Sequence, residues 1–316
     1  MIPCGPPPCP PIGGVAPGDY GKERTVTRVL VVLNSGSGSA GDAGPGELAD
    51  ALRPLGEVQF CSPGDDSFDE DLRGAAADAD VLVSAGGDGT ISRAVGALRG
   101  RLDDLAFGVV PMGTGNDLAR TLAMPEEPVQ AATVIAAGHR RAVDVWNAAG
   151  RDGPDRTFVN ACVGGFPVEV DERVGDLEKR VLGPLAYLSA GARVAATMDR
   201  FDARIDGHPV EGCLAVGVGN GRSVGGGILL FPRADPADAR LEACAVAASG
   251  TVDTAKLGLA VRKGEHLELD GVYATSAERV RIETDPVIEL NVDGDLVGLR
   301  TPVEFRRAGV ATFLAP

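Results

Sequence analysis

Apolar runs ending in glycine-rich breaks organise the first half of the chain. Arg28-Val29-Leu30-Val31-Val32-Leu33 is a continuous apolar strand, the pattern of a parallel sheet covered on both faces. Asn34-Ser35-Gly36-Ser37-Gly38-Ser39 follows it, a small-residue loop at the strand end where open α/β sheets place ligands. A helix near Glu47–Leu55, a strand at Val58–Cys61 and a helix around Phe68–Ala77 lead to a second apolar strand, Val81-Leu82-Val83-Ser84-Ala85. Gly86-Gly87-Asp88-Gly89 breaks that strand, and a helical pattern starts at Thr90. The next strand, Ala106–Val110, gives way to Pro111-Met112-Gly113-Thr114-Gly115-Asn116-Asp117 and another helix start. Strands alternating with helices predict parallel βαβ units.

The second half has a different rhythm. After a helix at Pro128–Ala137, short β-like runs appear at Arg141–Trp146, Thr157–Val163, Cys213–Val218, Leu241–Ala247, Leu267–Ala274, Val280–Glu283 and Val287–Val292. Many short strands with turn signals predict an antiparallel sandwich. One helical insertion spans roughly Leu177–Met198, its Val181, Leu182, Leu185, Leu188, Ala192 and Ala195 spaced as one apolar face. Core packing explains that spacing, and an acyl groove would use the same stripe. The expected division is a Pro/Gly-rich tail over 1–24, an α/β domain over 25–140, a β-sandwich over 141–300, and a segment over 301–316 returning to the first domain. Asp144 and Trp146 are expected to begin the β-domain structurally.

Composition bounds the function. The 316 residues, 44% of them hydrophobic, suffice for two cores. A net charge of −15 opposes nucleic acid and leaves at most transient contact with anionic membranes. Six cysteines without a CxxC pair, and three histidines scattered along the chain, offer no zinc site or disulfide framework. The first 24 residues hold seven prolines and five glycines, too little apolar surface to order themselves. No signal peptide or membrane span is evident, so a cytoplasmic location is expected. A homodimer is compatible with the sequence.

The glycine loops carry the candidate chemistry. Glycines let a ligand approach the backbone closely, and the N–H groups that open a helix attract anions. Asp88 would be repelled by a phosphate unless a cation lay between them, so it reads as a Mg²⁺ contact. A plain Gly/Asp turn capping an α/β loop fits Gly86–Thr90 equally. Asn116 and Asp117 read either as an N-cap pair or, with Gly113 and Thr114 bordering a nucleotide, as groups that hydrogen-bond its polar edges or hold the phosphate loop. Three such loops on one sheet edge favour the nucleotide.

Asn34, Ser37 and Gly38, then Gly86-Gly87-Asp88-Gly89-Thr90, then Gly113-Thr114-Gly115-Asn116-Asp117, stand in the order and spacing of the diacylglycerol kinase catalytic family, which this chain resembles. Leu182-Gly183-Pro184-Leu185-Ala186-Tyr187-Leu188, the glycines from Gly219 to Gly227, and Val292-Asp293-Gly294-Asp295 resemble its later segments. The resemblance implies an α/β domain with a β-sandwich, and ATP-dependent transfer of phosphate to a hydroxyl of a lipid such as diacylglycerol or a sphingoid or polyprenol alcohol. It implies ATP and Mg²⁺ as cofactors, with Asn34, Ser35, Gly36, Ser37, Gly86, Gly87, Asp88, Gly89, Thr90, Gly113, Thr114, Asn116 and Asp117 around the nucleotide. Asp293 becomes the general base, and Asp293→Asn is expected to spare folding while cutting turnover. The same Asp-Gly pair is also a two-residue hairpin signal. Asp238 becomes a ligand of a structural metal, although Asp238-Ala239 stands where the family has Asp-Gly. Asp295 keeps the charge of the family's Glu with a shorter reach, and Ser35 replaces its Pro. A soluble acceptor of specialised-metabolite type and a non-catalytic nucleotide-binding regulator are the alternative readings.

Overall fold

The computed structural model describes residues 26–33, 43–64, 66–165, 199–248 and 251–316. The Asn34–Ser39 loop, the Pro/Gly-rich tail and the Leu177–Met198 helix, with its Tyr187 segment, lie outside the described residues.

Four strands form the parallel part: β1 (Arg28–Leu33), β2 (Glu57–Cys61), β3 (Val81–Gly86) and β4 (Ala106–Pro111), in the order β2-β1-β3-β4. β3 and β4 are buried at every position, which is why their sequences carry no polar alternation. Helices α1 (Pro45–Leu52), α2 (Phe68–Ala75), α3 (Asp88–Ala97), α4 (Asp117–Thr121) and α5 (Pro128–Ala136) cover this sheet. Leu48, Leu52, Leu72, Ile91 and Val95 point into one core with the strand residues. Helix α3 starts two residues before the expected Thr90, at Asp88, because Gly87 already has the extended backbone of an N-cap.

The second half is antiparallel. Its strands are β5 (Arg140–Gly150), β6 (Arg156–Phe158), β7 (Ala161–Gly165), β8 (Phe201–Ile205), β9 (His208–Gly219), β10 (Leu241–Ala247), β11 (Val272–Ala277), β12 (Arg279–Asp285), β13 (Glu289–Val292), β14 (Asp295–Arg300) and β15 (Val303–Leu314). Trp146, Phe158, Phe305 and Ile282 fill a second core. The run expected at Thr157–Val163 is two strands, interrupted where the backbone N–H groups of 159–161 turn toward the Asp293 carboxylate. The expected Leu267–Ala274 strand begins only at Val272, because His266–Glu268 forms a 3-10 turn. Helix α6 (Thr251–Lys263) was not anticipated from the sequence.

β15 joins the two parts. It runs antiparallel to β5 and β12 and pairs in parallel with β4 through Thr312↔Ala106 and Phe313↔Phe107, where the two Phe rings stack with centroids 5.6 Å apart. Asp144 on β5 is 1% exposed. It takes the Arg307 guanidinium from β15, with Nε at 2.7 Å, and the Ala239 N–H at 2.7 Å. A buried carboxylate needs such partners, so this ion pair fastens the loop before β10 to the β5–β15 ribbon. Trp146 is fully buried and donates through Nε1 to Asn220 at 3.0 Å.

Candidate active site

Parallel pairing sets the site. Gly86 at the end of β3 lies in register with Pro111 at the end of β4, so the turns that follow lie side by side. A Cβ built on Gly113 would stand 2.4 Å from the Cα of Gly87, a separation no side chain tolerates. A Cβ on Gly86 would meet the Thr90 hydroxyl at 2.8 Å. Both glycines are therefore required by close approach. Gly113→Ala should force the turns apart and lower affinity for the ATP that the sequence motifs lead one to expect here about ten- to hundredfold. Gly74→Ala, where nothing lies within 4 Å, should leave it unchanged; titration calorimetry of both variants checks this.

Polar side chains brace the turns. Asn116 sits at φ +54°, accepts the Gly113 N–H at 2.9 Å and donates to the Gly113 carbonyl at 2.7 Å. Asn tolerates the left-handed region through such local bonds. The Asp88 carboxylate accepts the N–H of Asp117 and of Leu118, each at 2.9 Å. It therefore caps α4 from the neighbouring turn, and each oxygen keeps a lone pair for another partner. Asp117 reaches into the second half: it accepts the Ser223 hydroxyl at 2.7 Å, the Gly226 and Gly227 N–H groups at 2.8 and 2.9 Å, and Arg120 Nη1 at 3.0 Å. Of the roles expected for Asn116 and Asp117, the hydrogen bonds match loop-holding: both side chains bond loop backbone.

Asp293 is in the Asp-Gly hairpin between β13 and β14, at φ +47° with Gly294 at +97°. Only 3% exposed, it accepts N–H groups from Val159 at 2.8 Å, Asn160 at 3.0 Å and Ala161 at 2.7 Å; Ser92 of α3 lies nearby and donates its hydroxyl to the Thr157 carbonyl at 3.1 Å. This geometry makes a loss of stability the expected result of Asp293→Asn, because an amide cannot accept all those donors. The neighbouring Asp295 carboxylate lies against Gly89, 2.3 Å from where a Cβ would stand.

Charge ties the halves together. Burial, then the Asp117 carboxylate, push the Asp88 pKa up to about 7, with Asp293 adding a smaller push in the same direction. Burial raises Asp293 to about 6 against its hydrogen bonds. Both groups hold protons more tightly folded than unfolded, so the folded chain binds more protons between about pH 4 and 7. Stability of the metal-free chain should therefore fall as pH rises through that window and level off above it. Urea midpoints in chelator at pH 5 and 7.5 check the sign, and a rise would contradict it.

Asp238 is exposed, and its Oδ1 caps the Arg240 N–H at 2.9 Å. Among the described residues no cluster of three or more His, Cys, Asp or Glu side chains could hold a metal, so a cation at Asp238 would depend on backbone carbonyls. Asn34, Ser35, Gly36 and Ser37 lie outside the described residues. Gly86, Gly87, Asp88, Gly89, Thr90, Gly113, Thr114, Asn116 and Asp117 are brought to one rim, and the Asp293 hairpin meets α3 where Asp295 lies against Gly89. The motifs did not single out Ser92, Asn160 or Ser223, which are buried at 5%, 3% and 2%; Asn160 leaves a trace in the sequence as an amide inside the apolar run Phe158–Val163.

Comparison with known proteins agrees with this layout. Residues 28–148 match the family described as diacylglycerol kinase catalytic domain, and residues 160–311 match the YegS C-terminal NAD kinase beta sandwich-like domain. A protein of Xanthomonas oryzae pv. oryzae named probable lipid kinase YegS-like is 35% identical over 68% of this chain and 72% of its own length. The diacylglycerol kinase of Mycobacterium tuberculosis is 31% identical over 88% of this chain and 89% of its own. A crystal structure of a diacylglycerol kinase from Bacillus anthracis str. Sterne covers 92% of this chain and 98% of its own, with a TM-score of 0.66 and 22% identity. Two domains, an α/β half with parallel strands and an antiparallel β-sandwich half, meet at a rim of glycine turns, and on that architecture and those matches the chain belongs to the diacylglycerol kinase catalytic domain family.

Proposed function

We propose that this chain is an ATP-dependent lipid kinase that moves the γ-phosphate of ATP to a lipid hydroxyl, diacylglycerol being the first acceptor to try. The observation that carries the reading is the bare rim of Gly86–Gly89 and Gly113–Gly115, facing carboxylates from both halves. Phosphoryl transfer asks chiefly for positioning and charge neutralisation. Backbone N–H groups at the rim supply donors where a side chain would block approach. Among the described residues each Asp88 oxygen takes a single N–H, which suits a Mg²⁺ contact; the ion would offset charge on the transferring phosphoryl group.

Two carboxylates are in place to receive the acceptor proton. Asp88 takes the fewer donors among the described residues. Asp293 is the second reading, favoured by its seat in the opposite half and a pKa raised to about 6, although its oxygens are committed to three backbone donors. A structural cation beside Asp238 and a cytoplasmic location complete the reading. Among the described residues no helix is long and apolar enough to cross a membrane, so acceptors would be drawn from a bilayer surface or from solution.

The test is a panel of acceptors with γ-labelled ATP and Mg²⁺: diacylglycerol, a sphingoid base, a polyprenol and soluble alcohols. Label in a lipid product is expected. Label only in a soluble product would replace the lipid acceptor with a water-soluble one. No transfer despite ATP binding would leave a nucleotide-binding regulator.

A further inference from the structure

A cavity of about 530 Å³ lies beside the β4–α4 turn, lined by Gly113, Thr114, Asn116, Arg120, Met124 and Glu126 among others. Among the described residues of that lining, Arg120 is the one cation. Its guanidinium is anchored at one nitrogen, where Nη1 donates to the Gly115 carbonyl at 3.1 Å and to Asp117 Oδ1 at 3.0 Å. Nε passes Gly227 at 3.5 Å from where a Cβ would stand, so the glycine leaves it room. The side chain is 40% exposed. No hydrogen bond from Nε or Nη2 to a described residue is present.

An ordinary helical i,i+3 ion pair is worth little and needs no such surroundings. Here the partner carboxylate is itself pinned by Ser223, Gly226 and Gly227, so the guanidinium is held by a fixed group at the cavity wall. Arginine's planar fork suits phosphate, and its charge does not titrate away. The neighbourhood also calls for a cation, because Asp88, Asp117 and Asp293 lie close together and a polyphosphate would add further negative charge. On the nucleotide reading above, we propose that Arg120 is a phosphate-binding residue of this cavity, taking a phosphoryl oxygen of ATP with the donors that Asp117 leaves open. Asp117 then acts as a positioning residue, aiming the guanidinium while it holds the glycine loop.

The experiment is calorimetry of ATP, ADP and adenosine on wild type, Arg120→Ala and Arg120→Lys, each with its Tm. Arg120→Ala should weaken ATP and ADP about ten- to hundredfold and leave adenosine unchanged. Arg120→Lys should recover part of the loss, since it restores the charge without the fork. Equal losses for adenosine and ATP would overturn the proposal, as would full ATP affinity in Arg120→Ala. If Arg120→Ala does not fold, Arg120→Lys decides, with a loss confined to the phosphorylated ligands supporting the proposal and unchanged ATP affinity overturning it. A wild-type chain that binds no ATP would bring down the nucleotide reading and this proposal with it; full affinity in Arg120→Ala would remove this proposal alone.

Discussion

Asp88→Asn is expected to lower kcat/KM for phosphate transfer by about 10²–10⁴-fold, the range associated with losing a positioned acid–base group. Two effects combine. Asparagine keeps one acceptor oxygen, so one of the N–H groups at Asp117 and Leu118 would face an amide donor, loosening the first turn of α4. Asparagine also carries no charge, so the Mg²⁺ contact assigned to this position weakens. The second effect has its own signature: the variant should need more Mg²⁺ for half-maximal rate. An unchanged Mg²⁺ requirement alongside a slower rate would confine Asp88 to shaping the turn. Asp88→Glu keeps the charge but lengthens the side chain beside Gly115, whose built Cβ already lies 2.9 Å from the Asp88 Oδ2. Little rescue is expected from it.

Asp293→Asn is expected to cost about 1–3 kcal/mol of stability, the usual range when a buried hydrogen-bonding group loses its partner. The carboxylate receives three backbone N–H groups from one short turn, and an amide in its place turns one of those contacts into donor against donor. Relief of burying a charge offsets part of the loss, because burial already raises this group to about 6. A melting temperature lowered by a few degrees, at about 2–4 °C per kcal/mol for domains of 150–250 residues, would agree. Turnover should fall as well, since the hairpin carries Asp295 to its place over Gly89. An Asp293→Asn chain with wild-type melting temperature and a slow rate would return Asp293 to the role of base. Unchanged stability with unchanged rate would remove it from both roles.

Local chemistry made the first half of the molecule legible. A fully apolar strand followed by Gly-Gly-Asp-Gly can only leave a covered sheet into a tight turn, and both rims were visible for that reason. The Asp293-Gly294 hairpin was also readable, because both residues need positive φ and the pair is suited to it. Helix α6 was hidden: Gly258 interrupts it and Leu259 is 59% exposed, so its apolar stripe is broken. The break in Thr157–Val163 was hidden too, since its cause is a carboxylate more than 130 residues away. A separation of 109 and 110 residues likewise conceals the grip of Asp117 on Gly226 and Gly227. Sequence patterns report the backbone state of a residue and its preferred burial, whereas a side chain's partner from another element depends on how the sheet is threaded. That is why Asp88, Asp117 and Asp293 could be picked out as important while the distant backbone groups each one binds could not.

On the function proposed above, the paired turns after β3 and β4 hold a magnesium-bound ATP. Calorimetric titration of the full chain with ATP, with and without Mg²⁺, and repeated on Asp88→Asn, measures this. Saturable binding to the wild type, tightened by Mg²⁺, is expected, with that tightening lost in Asp88→Asn. No heat of binding to folded wild-type protein, or the same Mg²⁺-dependent affinity in Asp88→Asn, would contradict it.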